Sequence, residues 1–158
     1  MEKLYKAYYK SPIGNVEIIS DEEYILALDF IEEEITKDSF EAVPEVLKKC
    51  VEEIDEYFKG TRKEFTVKVK VHGTKFQEKV WNELQKIPYG KVCSYKDIAA
   101  AVGNEKAVRA VGGANHRNKI SIIIPCHRVV GKDGSLTGYG GGLWRKKWLL
   151  NHEGVKIK

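Results

Sequence analysis

The sequence predicts an α+β fold in two parts: a small strand-and-helix layer, then a helical unit built around a helix-turn-helix. Three observations lead there. Apolar and polar residues alternate over 4–9, 16–30 and 65–71, the habit of half-buried strands, whereas apolar residues recur at steps of three and four over 46–58, 75–86, 95–101 and 105–115. Charge changes sign along the chain: residues 1–70 hold 11 Lys/Arg against 17 Asp/Glu, net −6, and residues 71–158 hold 16 against 6, net +10. His72-Gly73 sits where charge and periodicity change together, so the expected domains are 1–72 and 73–158.

In the first part, Ser11-Pro12-Ile13-Gly14-Asn15 is a turn between strands, and Glu32-Glu33-Glu34 ends the second run as a solvated edge. Pro44 opens a helix with Val46, Leu47, Cys50, Val51, Ile54, Tyr57 and Phe58 on one stripe, stopped by Gly60. Phe65, Val67, Val69 and Val71 then alternate with Thr66, Lys68 and Lys70, the pattern of a half-buried strand. No convergent polar set occurs here, so this part reads as a scaffold.

In the second part, Thr74 and Gln77 have the spacing of a capping box for a helix over 75–86, which Ile87-Pro88-Tyr89-Gly90 stops. Ser94 caps a helix over 95–101, Gly103 breaks it, and Asn104 caps the next over 105–115. Two helices joined by a short glycine-containing turn form a helix-turn-helix, whose second member enters a DNA groove in many proteins. That second helix is small-sided at Ala107, Ala110, Gly112, Gly113 and Ala114, with Arg109 as its central long cation. It suits either close packing on a neighbour or a wedge entering a minor groove without reading sequence. Asn115 to Lys119 is a polar loop, Ile122–Ile124 a buried strand, and 137–142 a glycine-rich loop lacking the Lys-Ser/Thr of a phosphate loop. Residues 143–150 form a basic amphipathic helix, and Gly154 follows as a stop.

Composition limits the function classes. Of the 158 residues, 42% are apolar and 32% charged, as in a soluble folded protein, and no 18-residue apolar run could span a membrane. The charged start, Met1-Glu2-Lys3-Leu4, lacks a basic region followed by an apolar signal segment, so cytoplasmic residence is expected, and a monomer is the default. Cys50, Cys93 and Cys126 make no CxxC pair, and the four histidines fall at neither finger-like nor HExxH spacing, so no metal is expected. Cys50 and Cys93 read as packed cysteines. The net +10 of the second part calls for an anionic partner, nucleic acid being the commonest. A solvated lysine-rich face is the alternative, and the acidic first part argues against it as a habit of the whole chain.

Cys126 stands apart. The run Ile122-Ile123-Ile124 delivers it between Pro125 and His127-Arg128. An apolar approach suits an inert core cysteine, whereas imidazole and guanidinium neighbours suit a lowered thiol pKa.

Pro125-Cys126-His127-Arg128-Val129-Val130 resembles the active-site motif of the O6-alkylguanine-DNA alkyltransferases, the methylated-DNA–protein-cysteine methyltransferases. The resemblance covers Phe76 to Gly154 and includes Pro88-Tyr89-Gly90, Ser94-Tyr95, Arg109-Ala110-Val111-Gly112-Gly113-Ala114, Tyr139 and His152-Glu153-Gly154. It implies a small ribonuclease-H-like N-terminal domain packed on a winged-helix-like, helix-turn-helix domain. It also implies that Cys126 accepts an alkyl group from O6-alkylguanine, and from O4-alkylthymine, flipped out of double-stranded DNA. His127, acting through a water, and Glu153 would draw off the thiol proton. Asn118 would shape the turn holding the site, and Tyr95 would donate to the flipped base and crowd the phosphate. Arg109 would enter the minor groove and fill the stack, and Tyr139 would line the base pocket. Val129 and nearby carbonyls would accept from the base edge. Ala110, Gly112, Arg117, Arg128 and Gly140 would complete the DNA- and base-binding surface, with Gly140 standing where some members have serine. Neither cofactor, metal, membrane nor obligate protein partner is implied.

The implied chemistry is consistent with the residue types. A thiolate is the best side-chain nucleophile for an sp³ carbon, and a free cysteine near pKa 8.5 needs a base to form it at neutral pH. The thioether product has no bond that water can cleave, so each molecule would act once. Two other classes share some of these residues. A sequence-reading regulator would use the helix-turn-helix and leave Cys126 idle, whereas a Cys-His hydrolase would turn over and have no use for the basic surface.

Overall fold

The computed structural model describes residues 3–35 and 42–156; Met1 and Glu2, read above as part of a charged start, lie outside them. The chain divides into two compact units, Met1–Val71 and His72–Lys158.

The first unit is an antiparallel sheet, β1 (Tyr5–Ser11), β2 (Gly14–Ser20) and β3 (Ile25–Ile31), in the order β1-β2-β3, with helix α1 (Glu45–Phe58) against it. Ser11 pairs with Gly14, leaving Pro12 and Ile13 as the hairpin loop, and Gly14 takes φ +118, a conformation open to glycine. The long run predicted over 16–30 breaks at Asp21, whose Oδ1 accepts from the amides of Glu23 (2.8 Å) and Tyr24 (2.7 Å) and turns the chain. Val16, Ile18, Ile25 and Leu28 bury against Leu47, Cys50, Ile54 and Tyr57, the stripe predicted for α1.

The strand predicted over 65–71 is not part of the sheet. Phe65, Val67, Val69 and Val71 are half-buried and their neighbours exposed, as the alternation requires, but pairing is limited to one parallel bridge between Ile25 and Val69. The cause is Glu53, a buried carboxylate on α1. It takes the Thr66 hydroxyl (2.6 Å) together with the Thr66 (2.9 Å) and Val67 (3.3 Å) amides, two donors that a ladder would have drawn on.

The second unit packs three helices pairwise: α2 (Lys75–Leu84), α3 (Tyr95–Ala101) and α4 (Val108–His116). Both predicted caps of the first two form reciprocal boxes. The Gln77 amide donates to Thr74 Oγ1 (3.1 Å) and the Thr74 amide to Gln77 Oε1 (3.0 Å); Ser94 and Asp97 repeat the pattern at 2.9 and 3.0 Å. α4 begins at Val108, three residues later than predicted. Asn104 closes a separate turn instead, its Oδ1 accepting from the Lys106 amide (3.1 Å) and its carbonyl from Ala107 (3.0 Å). Trp81 lies in the core and donates its indole N–H to the Ala114 carbonyl (2.9 Å), locking α2 to α4.

Two-residue strands β4 (Cys93–Ser94) and β5 (Val129–Val130) pair in parallel, setting the N-terminus of α3 beside the segment that leaves Cys126. Helix α5 (Leu143–His152) closes the unit with Leu149 and Leu150 buried. Among the described residues no helix is long and apolar enough to cross a membrane.

Candidate active site

Ile122–Ile124 is a turn and not the predicted strand. Ile122 is the only described non-glycine residue at positive φ (+71), a costly conformation for a β-branched side chain. Asn118 compensates. Its Nδ2 donates to the carbonyls of Ile124 (2.8 Å) and Ile120 (3.3 Å), and its Oδ1 accepts from the Ile120 amide (3.0 Å). Asn118 thus braces a turn that the Ile124 amide also closes on the Ile120 carbonyl (3.1 Å), and the turn feeds Cys126 into a single 3-10 turn, Cys126–Arg128, behind buried Pro125.

Cys126 is 5% exposed, and its carbonyl accepts from Asn115 Nδ2 (3.3 Å) on α4. His127 is fully buried, with Nε2 2.7 Å from Glu153 Oε2. Glu153, at the end of α5, is held further by Arg128: Nε to Oε1 at 2.8 Å and Nη2 to Oε2 at 3.1 Å, with the Gly90 amide 3.3 Å from Oε1. Burial alone would raise the Glu153 pKa, but the hydrogen bonds and charges facing it, first from the His127 ring and then from the Arg128 guanidinium, hold it well below the carboxylate range. Burial pushes His127 the other way, below the usual imidazole value, and outweighs the pull of Glu153. A neutral imidazole beside an ionised carboxylate donates through Nε2–H. The lone pair then lies on Nδ1, which is buried and has no protein hydrogen-bond partner among the described residues. The arrangement is a buried base, oriented by a carboxylate, next in sequence to a thiol.

Arg128 departs from its expected place on the DNA-binding surface. It is 6% exposed, its third donor, Nη1, goes to the Ile87 carbonyl (2.7 Å), and its guanidinium lies over the Tyr89 ring. With its donors committed inside the protein, it anchors Glu153. Val129 is also buried, within β5 beside Cys93.

Tyr95 begins α3, half-buried. Its hydroxyl donates to the Thr137 carbonyl (3.2 Å) and accepts from the Thr137 hydroxyl (3.2 Å), joining α3 to the glycine-rich loop. In that loop Tyr139 is buried and Gly140 exposed. Arg109 and Ala110 are exposed on the first turn of α4, Gly112 is half-buried and Arg117 exposed just past the helix end, while Val111, Ala114 and Asn115 face the core. A Cβ added at Gly112 or Gly113 would meet nothing within 4 Å, so internal packing does not require these glycines.

Two side chains at the site were not foreseen. Asn115 had been read as part of a polar loop. Lys146, on the helix read as basic and amphipathic, is fully buried and donates to the Thr137 carbonyl (2.7 Å). Its signal was its place three and four residues before Leu149 and Leu150, on their stripe. Among the described residues no three His, Cys, Asp or Glu side chains are grouped to hold a metal ion.

Residues 4–71 match the ribonuclease-like domain, and residues 75–155 the DNA-binding domain, of 6-O-methylguanine DNA methyltransferase. A methylated-DNA–protein-cysteine methyltransferase of Methanosarcina acetivorans is 44% identical over 154 residues, 96% of this chain and 99% of that protein. A constitutive one of Bacillus subtilis is 44% identical over 162 residues, 98% of each. The crystal structure of a Mycobacterium tuberculosis O6-methylguanine methyltransferase superposes with TM-score 0.84 at 40% identity, covering 96% of this chain and 93% of that one. A Mycobacterium tuberculosis OGT in complex with DNA gives 0.83 at 41%, covering 92% and 90%.

Proposed function

Because the chain belongs to the 6-O-methylguanine DNA methyltransferase family, we propose that it repairs DNA by moving the alkyl group of O6-alkylguanine, and of O4-alkylthymine, onto its own Cys126, once per molecule. The observation that carries this reading is the buried Cys126–His127–Glu153 arrangement, with its neutral imidazole and unpartnered Nδ1. Family membership and the relatives' names support it.

The Cys126 thiol loses its proton, through a water, to His127 Nδ1. Glu153 accepts the Nε2–H and steadies the imidazolium that forms. The thiolate attacks the alkyl carbon, an S–C bond forms as the C–O6 bond breaks, and the electron pair leaves on the guanine. Tyr95 supplies the proton that neutralises it, since a purine anion leaves poorly. Thioether and guanine are the products, with no change of oxidation state and no cofactor.

A base inside a duplex cannot reach the sulfur of a cysteine that is 5% exposed, so the nucleotide must be extruded. The small exposed face of α4 is suited to approach the minor groove, where Arg109 takes the place of the lost base in the stack. Arg117 and the Gly140 amide extend the surface toward phosphate and base, with Tyr139 lining the pocket. Neither an obligate protein partner nor a second subunit is needed.

The test is intact mass after incubation with O6-methylguanine duplex. A single gain of about 14 Da on Cys126, with loss of activity in step, is the signature of covalent transfer without turnover. Methyl removal by Cys126→Ala, or repeated turnover, would overturn the proposal.

A further inference from the structure

A buried ammonium is costly unless its surroundings repay it, and no carboxylate lies within salt-bridge distance of Lys146 among the described residues. It lies instead where three parts of the site meet. Nζ donates to the Thr137 carbonyl at 2.7 Å and stands 5.8 Å from the centroid of the Tyr95 ring. The same carbonyl takes the Tyr95 hydroxyl, and the Thr137 hydroxyl donates back to it. Thr137 is thus a hub with two donors on one oxygen.

The sharing matters because a phenol has one proton. In this structure Tyr95 spends it on Thr137, whereas alkyl transfer requires it at the guanine. When Tyr95 turns away, the carbonyl loses one of its two donors. We propose that Lys146 is a positioning residue for the transfer: it keeps the Thr137 carbonyl satisfied and fixed, so that Tyr95 can hand its proton to the departing base. This rests on the reading of Tyr95 as donor to that base. Burial pulls the Lys146 pKa down to about 8, and a thiolate at Cys126 would oppose that fall.

The experiment is a double-mutant cycle on single-turnover methyl transfer from methylated duplex, using Lys146→Met, Tyr95→Phe and the pair, with thermal midpoints recorded. Tyr95→Phe is expected to slow transfer about a hundredfold, the low end for loss of a general acid. Lys146→Met should slow it about tenfold when Tyr95 is present and less than about twofold in the Tyr95→Phe chain, because its effect runs through that hydroxyl. Lys146→Gln keeps a donor without the charge and should recover part of the loss. Should Lys146→Met not fold, Lys146→Gln and Lys146→Arg carry the same comparison. Equal losses in both backgrounds, or a wild-type rate in Lys146→Met, would overturn the role of Lys146 while leaving Tyr95 slow. A wild-type rate in Tyr95→Phe would instead remove the reading of Tyr95, and the role of Lys146 with it.

Discussion

Replacing Arg128 with methionine separates an internal anchor from a DNA contact. The guanidinium gives two hydrogen bonds to Glu153, at 2.8 and 3.1 Å, and one to the Ile87 carbonyl at 2.7 Å, all among buried atoms. Methionine fills similar space but leaves the Glu153 carboxylate with the His127 ring and a long contact from the Gly90 amide. Removing one partner of a buried pair costs about 3–5 kcal/mol, because the other charge stays buried and uncompensated. In a chain of this size each kcal/mol lowers the thermal midpoint by about 2–4 °C, so a fall of about 6–20 °C is expected. Trp81, Trp144 and Trp148 all belong to residues 72–158, so tryptophan fluorescence in urea follows the affected unit alone. Duplex binding supplies the second reading. An arginine on a phosphate would lower the salt dependence by about one unit of slope on removal, whereas Arg128→Met should leave it unchanged. A stability change within about 0.5 kcal/mol, as for an ordinary surface side chain, with a reduced salt slope, would refute the anchor reading.

Asn118→Ala removes three hydrogen bonds that support the left-handed Ile122, so a loss of about 2–4 kcal/mol is expected by the same fluorescence assay; an unchanged midpoint would mean the turn stands by itself. Arg109→Ala should weaken repair in duplexes more than in single strands, and equal losses would rule out base replacement. Lys146 predicts a pH dependence whose sign is fixed by its depressed pKa of about 8 in the folded chain, against about 10.4 unfolded. Below pH 8 both states are protonated and the cost of burying the charge is fully present. Between the two values the unfolded chain binds more protons, so stability rises with pH, by about 3 kcal/mol in all. Urea midpoints of the wild type measured against Lys146→Met should show that rise, and parallel curves would contradict it.

Features decided within a few residues were legible in the sequence. The Thr74–Gln77 and Ser94–Asp97 boxes formed because both partners of each lie one helical turn apart, and the α1 stripe is buried as its spacing requires. Features decided by a distant partner were not. Three isoleucines in a row look equally like strand or turn, and the bonds of Asn118 decide the matter. The 65–71 alternation lost its ladder to Glu53. The resemblance put Arg128 on the DNA-binding surface; its burial depends on Ile87 and Glu153, 41 and 25 positions away. The link between His127 and Glu153 came from the resemblance, since no periodicity relates residues 26 apart.

The Glu153 carboxylate gathers donors from Gly90, His127 and Arg128, and the first of these lies 63 residues upstream. During synthesis those donors leave the ribosome well before their acceptor does. A nascent chain can therefore form its α2–α4 helices while His127 and Arg128 still lack the group that neutralises one and orients the other. The imidazole is fixed only once the Glu153 end of α5 has docked, so completion of the reactive centre is tied to the docking of that helix.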